Sequence, residues 1–149
     1  MGRRTKAREC ALQMLYQWDM SREPMEKVSG LFWQVRSATD EARAMAERLA
    51  RGAQSEVETL DAAIAAALTN WPFDRLAAVD RNIMRIAAYE LAREPQTPAA
   101  VVIDEAVEMA RRFGEKDSPA FVNGVLDAVK RALREDGGAR ARPRGGEKP

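Results

Sequence analysis

The sequence predicts an all-α fold: a compact single-domain bundle of about six or seven helices, followed by a disordered basic tail. Three observations carry this expectation. Ala supplies 27 of the 149 residues, against nine Gly and seven Pro, and Ala enters a helix without losing side-chain rotamers. Apolar residues recur three and four positions apart, and no window shows the strict alternation of a half-exposed strand. The Pro and Gly residues sit between the periodic segments, where helices should stop.

The first helix is expected over residues 4–19, with Ala11, Leu12, Leu15, Tyr16 and Trp18 among its apolar positions. Ser21 to Pro24 reads as the next start, with Ser21 as cap and Pro24 in the first turn of a helix over residues 24–37. Thr39 or Asp40 caps a long segment reaching Thr69, in which Gly52 marks a bend. Asn70-Trp71-Pro72-Phe73-Asp74 is a connector with an aromatic pair, and Leu76, Val79, Ile83, Ile86 and Leu91 stripe a helix ending near Arg93. Thr97-Pro98 starts the next helix, which carries Val102, Ala106, Met109 and Phe113 and ends at Gly114 as a left-handed cap. Ser118-Pro119 repeats the start signal for a last helix with Val122, Val125, Leu126, Val129 and Leu133. Residues 1–135 therefore form one domain, and residues 136–149, with two Gly-Gly pairs and Arg-Pro-Arg, form the tail. A chain of this length hides roughly 70% of its unfolded surface, enough for a real core.

Composition excludes several chemistries. The chain has no His and one Cys, so His-dependent triads, His-ligated zinc, an internal disulfide and CxxC sites are all ruled out. No glycine-rich phosphate loop occurs. Asp104 and Glu108 share a helix face beside Glu105, but Arg111 and Arg112 one turn on make ordinary surface pairing the better reading than a Mg²⁺ site. Cys10 lies in a helix stripe and reads as a small core residue, although Arg3, Lys6 and Arg8 would lower its pKa if they faced it. No catalytic residue, metal or cofactor is expected. The longest uncharged apolar run, Ala62–Leu68, is seven residues, far below the ~20 that span a bilayer. With no signal-peptide pattern either, a cytoplasmic protein that does not enter membranes is expected.

The net charge of +1 conceals a division: residues 1–8 carry +4 and residues 136–149 carry +2, leaving −5 on the body between them. Basic ends suit a polyanion, and an acidic body suits a basic partner. Arg3, Arg4, Lys6 and Arg8 open the first helix, where cations oppose the helix dipole, and guanidinium groups grip phosphate and stack on bases. Phe113 and Phe121 flank a tight turn between two helices. Each either closes its own apolar stripe or stacks an unpaired base, and spacing does not decide between these.

Four blocks of sequence resemble the NusB family of bacterial transcription antitermination factors. They are Ala7-Arg8-Glu9-Cys10-Ala11-Leu12-Gln13-Met14-Leu15-Tyr16-Gln17-Trp18, the run from Val79 to Leu91, Pro98 with Val102 to Ala110, and Phe113-Gly114 with Asp117-Ser118 and Phe121 to Asp127. The resemblance implies a helical, non-catalytic protein that binds boxA RNA of ribosomal RNA leaders together with NusE, a small-subunit ribosomal protein, within the transcription elongation complex. It implies Arg3, Arg4, Lys6 and Arg8 as phosphate contacts, with Tyr16, Phe113, Asp117 and Phe121 near the RNA. It also puts Asp80, Arg81 and Arg85 in the NusE-facing helix. The basic run is thinner than an unbroken arginine tract, being interrupted by Thr5 and Ala7, and residue 120 is Ala where a basic side chain would help. Two alternatives remain: a domain serving a ribosomal RNA cytosine methyltransferase, and a purely structural helical protein, such as a homodimer that hides Arg4, Arg8 and Tyr16. The absence of a cofactor loop or catalytic cysteine motif after the last helix argues against the first.

Overall fold

The computed structural model describes residues 2–136, which form seven α-helices and no strand. These are α1 (Arg3–Ser21), α2 (Met25–Val35), α3 (Asp40–Ser55), α4 (Val57–Ala67), α5 (Ala78–Arg93), α6 (Ala99–Phe113) and α7 (Ser118–Lys130). A 3-10 turn at Phe73–Arg75 leads into α5, and a π-helical turn at Arg131–Asp136 follows α7. Apart from Asp136, the expected tail lies outside the described residues.

Helix α5 is the hub, packing against α1, α3, α4, α6 and α7. Its Ile83, Met84, Ile86, Ala87, Ala88 and Leu91 are all buried. The most extensive pairings around it are α1 with α3 and α6 with α7. Small residues are buried in both: Ala7, Ala11, Ala42 and Ala46 in the first, Ala106 and Ala110 in the second. The alanine richness that favours helix thus also permits close helix packing. No helix among the described residues is long and apolar enough to cross a membrane.

Several boundaries differ from the expectation, each for a local reason. Ser21 ends α1 instead of capping α2; its Oγ accepts from the Glu23 N–H at 3.2 Å, and Arg22 takes the left-handed conformation (φ 62°) that closes the helix. Thr39 does cap α3, accepting from Ala42 N–H at 3.1 Å. The segment from 40 to 67 is two helices, and the break falls at Glu56, not at Gly52. Arg93 of α5 grips the Glu56 carboxylate with bonds of 2.7–3.0 Å, at the junction where α4 turns away. Gly52 instead admits the Tyr89 ring, which lies 2.3 Å from where a Cβ would stand. Thr97 does not cap α6; Pro98 occupies that position, and Thr97 Oγ1 faces Arg4 Nη2 at 3.4 Å.

Gly114 ends α6 as expected but not in the left-handed conformation, its φ being −98°. Its requirement is steric. A Cβ there would lie 2.7 Å from Ser118 Oγ and 2.9 Å from the Ala110 carbonyl oxygen, which belongs to the backbone and does not move aside. Gly124, in the middle of α7, has nothing within 4 Å of the same position. Gly114→Ala is therefore expected to destabilise by about 1–3 kcal/mol through overpacking. Gly124→Ala is expected to stabilise by about 0.5–1 kcal/mol through helix propensity. Urea unfolding of the two variants checks the opposite signs.

Candidate nucleic-acid interface

The basic start of α1 divides into two roles. Arg3 and Arg4 are exposed and line one cleft with Arg48 of α3, and Arg3 also pairs with Glu41. Lys6 is half-buried. Arg8 is a correction to the expectation of a phosphate contact, because only 2% of it is exposed. Its Nε and Nη2 donate to the two oxygens of Glu90 at 2.7 and 2.9 Å, and its Nη1 donates to Glu105 at 3.2 Å. Burial works against the Arg8 charge, but the two carboxylates outweigh it and hold its pKa above the ordinary value. Arg8 ties α1 to α5 and α6, and its donors are committed inside the protein.

Of the three residues expected to face a basic protein, the two arginines are likewise engaged within the fold. Arg85 is buried and forks onto Asp61 with two bonds of 2.7 Å, while its third nitrogen donates to Asn82 at 3.0 Å. Arg81 donates to Asp19 at 2.7 and 3.0 Å and to the Leu76 carbonyl. Asp19 also accepts from Asn82 at 3.0 Å. Burial raises the Asp19 pKa, but Arg81, Asn82 and the nearby Arg85 outweigh burial and hold it below the usual carboxylate range. The buried Asp80 is different. Burial pushes its pKa up, partly opposed by a hydrogen bond with Ser118, and its Oδ1 accepts no hydrogen bond.

The aromatic residues of the turn separate into two hollows. Phe113 joins Tyr16, Leu12, Leu31, Phe32 and Val79 along an apolar groove of about 560 Å³ beside α1 and α2. Arg112 stacks over Phe113, its Cζ 5.3 Å from the ring centre. Phe121 and Asp117 line a second hollow of about 260 Å³ with Asp80, Ser118, Arg75 and Trp71. The consecutive residues Val79 and Asp80 therefore begin a ridge between the two hollows. Asp80, expected on a protein-facing surface, shares a hollow with two residues expected near RNA. Trp71, expected only as part of a connector, is 49% exposed and lines the second hollow.

Among the described residues no cluster of three or more Asp, Glu or Cys side chains is placed to hold a metal ion. Cys10 is buried, and burial pushes its thiol pKa up despite the charges of Lys6 and Arg36, so the expected lowering does not occur. Glu108 pairs with Arg111 at 2.8 Å, the ordinary surface pairing expected of it.

These placements set two expectations for stability. Arg8→Ala leaves Glu90 buried without its partner and should cost about 3–5 kcal/mol, whereas Arg4→Ala should stay within about 0.5 kcal/mol. Denaturant melts that moved equally for both would contradict the assignment of Arg8 to the core. Because the Asp19 pKa is depressed on folding, its contribution is complete above the ordinary carboxylate value of about 4 and is lost as pH falls through the folded value. Asp19→Asn should therefore be less stable at neutral pH and lose less stability on acidification, which thermal melts across pH would detect.

Comparison with known proteins agrees with the fold and with the sequence blocks. A family model described as "NusB family" matches residues 5–131. The transcription antitermination protein NusB of Sorangium cellulosum is 43% identical over 133 residues, which span 89% of this chain and 95% of that protein. A crystal form of T. maritima NusB is 33% identical with a TM-score of 0.81, covering 92% of this chain and 96% of that one. A crystal structure of antitermination factors NusB and NusE in complex with dsRNA contains a chain 27% identical, with a TM-score of 0.79, covering 89% of this chain and 98% of that one. With its family model spanning nearly all the described helices and its relatives matched over almost their whole length, the chain belongs to the NusB family.

Proposed function

We propose that this chain binds the boxA element of ribosomal RNA leader transcripts together with NusE and, within the transcription elongation complex, promotes processive ribosomal RNA transcription. As a member of a family of transcription antitermination factors, it works by binding and not by catalysis. The observation that carries the reading is the likeness, over 89% of this chain, to a protein solved with NusE and double-stranded RNA. The basic start and the turn between α6 and α7 support it. Arg3, Arg4 and Lys6 supply phosphate contacts from the open end of α1, and Tyr16, Phe113, Asp117 and Phe121 lie along the two hollows. Arg8 serves as a positioning residue, holding α1 against α5 through Glu90 so that the arginines before it stay on the surface. The NusE-facing reading of Asp80, Arg81 and Arg85 narrows, since the two arginines are engaged with Asp19 and Asp61. Work in transcription places the protein in the cytoplasm.

A homodimer is the second reading. Leu31 and Val35, 52% and 80% exposed, extend the groove that holds Tyr16 and Phe113, so a second copy seated there would cover both aromatics.

Titration with boxA RNA, with and without NusE, tests the proposal. Binding is expected in both cases and tighter with NusE. Replacing Arg3, Arg4 and Lys6 together by Ala should weaken it and lower the slope of log K against log salt by about 2, the value for three phosphate contacts on a single strand. Helicity should not change. No binding in either case would end the proposal.

A further inference from the structure

One side chain fixes where the chain leaves the last described turn. Arg134 reaches from the turn after α7 to the C-terminal end of α5, where its guanidinium donates to four backbone carbonyls. Nε meets Leu91 O at 3.0 Å, Nη1 meets Thr97 O at 2.7 Å, and Nη2 meets Glu90 O at 3.2 Å and Glu94 O at 3.0 Å. A helix leaves its last carbonyls unpaired and partly negative, so a cation is favoured there. Thr97 is also the residue that Arg4 of α1 meets, through its hydroxyl at 3.4 Å. The exit of the chain is therefore pinned beside the exposed cations that open α1. Arg4 pairs with no carboxylate among the described residues, and Arg3 and Arg48 line the cleft next to it. The carboxylates around the exit are committed elsewhere: Glu90 to Arg8, Glu94 to Arg48, and Glu105 to Arg8 and Thr5.

Beyond this anchor the sequence continues Gly137-Gly138-Ala139-Arg140-Ala141-Arg142-Pro143-Arg144-Gly145-Gly146, with arginine at every second position from 140 to 144. Arg140 is six residues past Arg134, so the backbone carries it no further than about 20 Å from the anchor. We propose that residues 137–149 act as a second basic arm on the bound RNA, in which Arg140, Arg142 and Arg144 grip phosphates next to those held by Arg3 and Arg4. The proposal rests on the RNA-binding reading above and adds a second contact segment to it. Guanidinium groups take phosphate oxygens in pairs, and arginine segments punctuated by glycine bind single strands without reading their sequence. The other candidate for the arm is the chain's own acidic body. The committed carboxylates at the exit, and the unpaired Arg4 beside it, favour the polyanion instead, because added cations there gain nothing until phosphates arrive.

The test measures boxA RNA affinity by fluorescence anisotropy, with the full chain and with a variant carrying Arg140→Gln, Arg142→Gln and Arg144→Gln. Every described helix is untouched by these changes. The variant should bind more weakly, and its slope of log K against log salt should be lower by about 2, the value for three phosphate contacts on a single strand. The advantage of the wild-type chain should accordingly shrink roughly twentyfold between about 50 and 200 mM salt. The ratio of affinities for boxA and scrambled RNA should stay the same, since phosphate contacts carry no sequence information. A second variant, with a Gly-Ser spacer of about twenty residues inserted after Gly138, keeps every charge but removes the arm from its anchor. It should bind several-fold more weakly as the effective concentration of the arm falls. Wild-type affinity and slope in the glutamine variant overturn the proposal. So does tighter binding, which would mean that the segment covers the RNA surface, and so does wild-type affinity in the spacer variant, which would mean that the anchor does not place the arm. If the full chain binds boxA RNA and the glutamine variant equals it, only the arm fails. If the full chain binds no boxA RNA even with NusE present, the wider function fails.

Discussion

The structure depends on satisfying the charges buried on its central helix. A helix packed against five others has almost no face left for solvent, yet α5 carries Asp80, Asn82, Arg85 and Glu90 in buried positions. An ion without its partner there costs several kcal/mol. Helix α1 supplies two of the answers. Arg8 meets Glu90 near the C-terminal end of α5, and Asp19 meets Arg81 and Asn82 near its N-terminal end. The two points are eleven residues apart on α1, about 16 Å along the axis. They fix the two helices antiparallel and in one register, since sliding by a turn would separate both sets of partners at once.

That register determines what the surface presents. Because Arg8 is drawn inward, the exposed cations of α1 are those before it, and they stand at the open end of the helix beside α3. Tyr16 lies about 18 Å further along α1 than Arg4, on the groove that Phe113 also lines. The start of α5 then divides that groove from the hollow holding Asp117 and Phe121. Exposed cations and hollows are thus spread along a surface instead of collected in a single cleft. An extended polymer fits such a surface better than a compact ligand does, because each segment meets a different chemistry.

Much of this was legible in the sequence, and what was hidden shares one cause. Periodicity placed six helical segments where the seven helices lie, α3 and α4 reading as one. No proline or other breaker marks Glu56, and the junction is held by Arg93, which is distant in sequence. Gly52 and Gly114 were visible as special, but their reasons are neighbours across the fold, Tyr89 in one case and Ser118 with Ala110 in the other. Arg8 and Arg85 read as surface charges because a charged residue is solvated by default, and only the tertiary partners Glu90 and Asp61 reverse that. Of the residues expected near RNA, Arg3, Arg4, Tyr16, Phe113 and Asp117 are exposed. Trp71 reads only as part of a connector, because a connector has no periodicity against which an exposed aromatic stands out.

Asp80 is where the central constraint is incompletely met. The other charged groups on α5 that are buried find partners from α1 or α4, whereas Asp80 has one oxygen with none. It sits in the first turn of α5, where the helix dipole favours a negative charge, yet burial still raises its pKa. The dipole and Ser118 therefore recover only part of what desolvation costs. A hydrophobic or amide side chain at this position would remove the conflict without disturbing the pairs that set the α1–α5 register, since Asp80 takes part in neither of them. The strain is thus separable from the architecture.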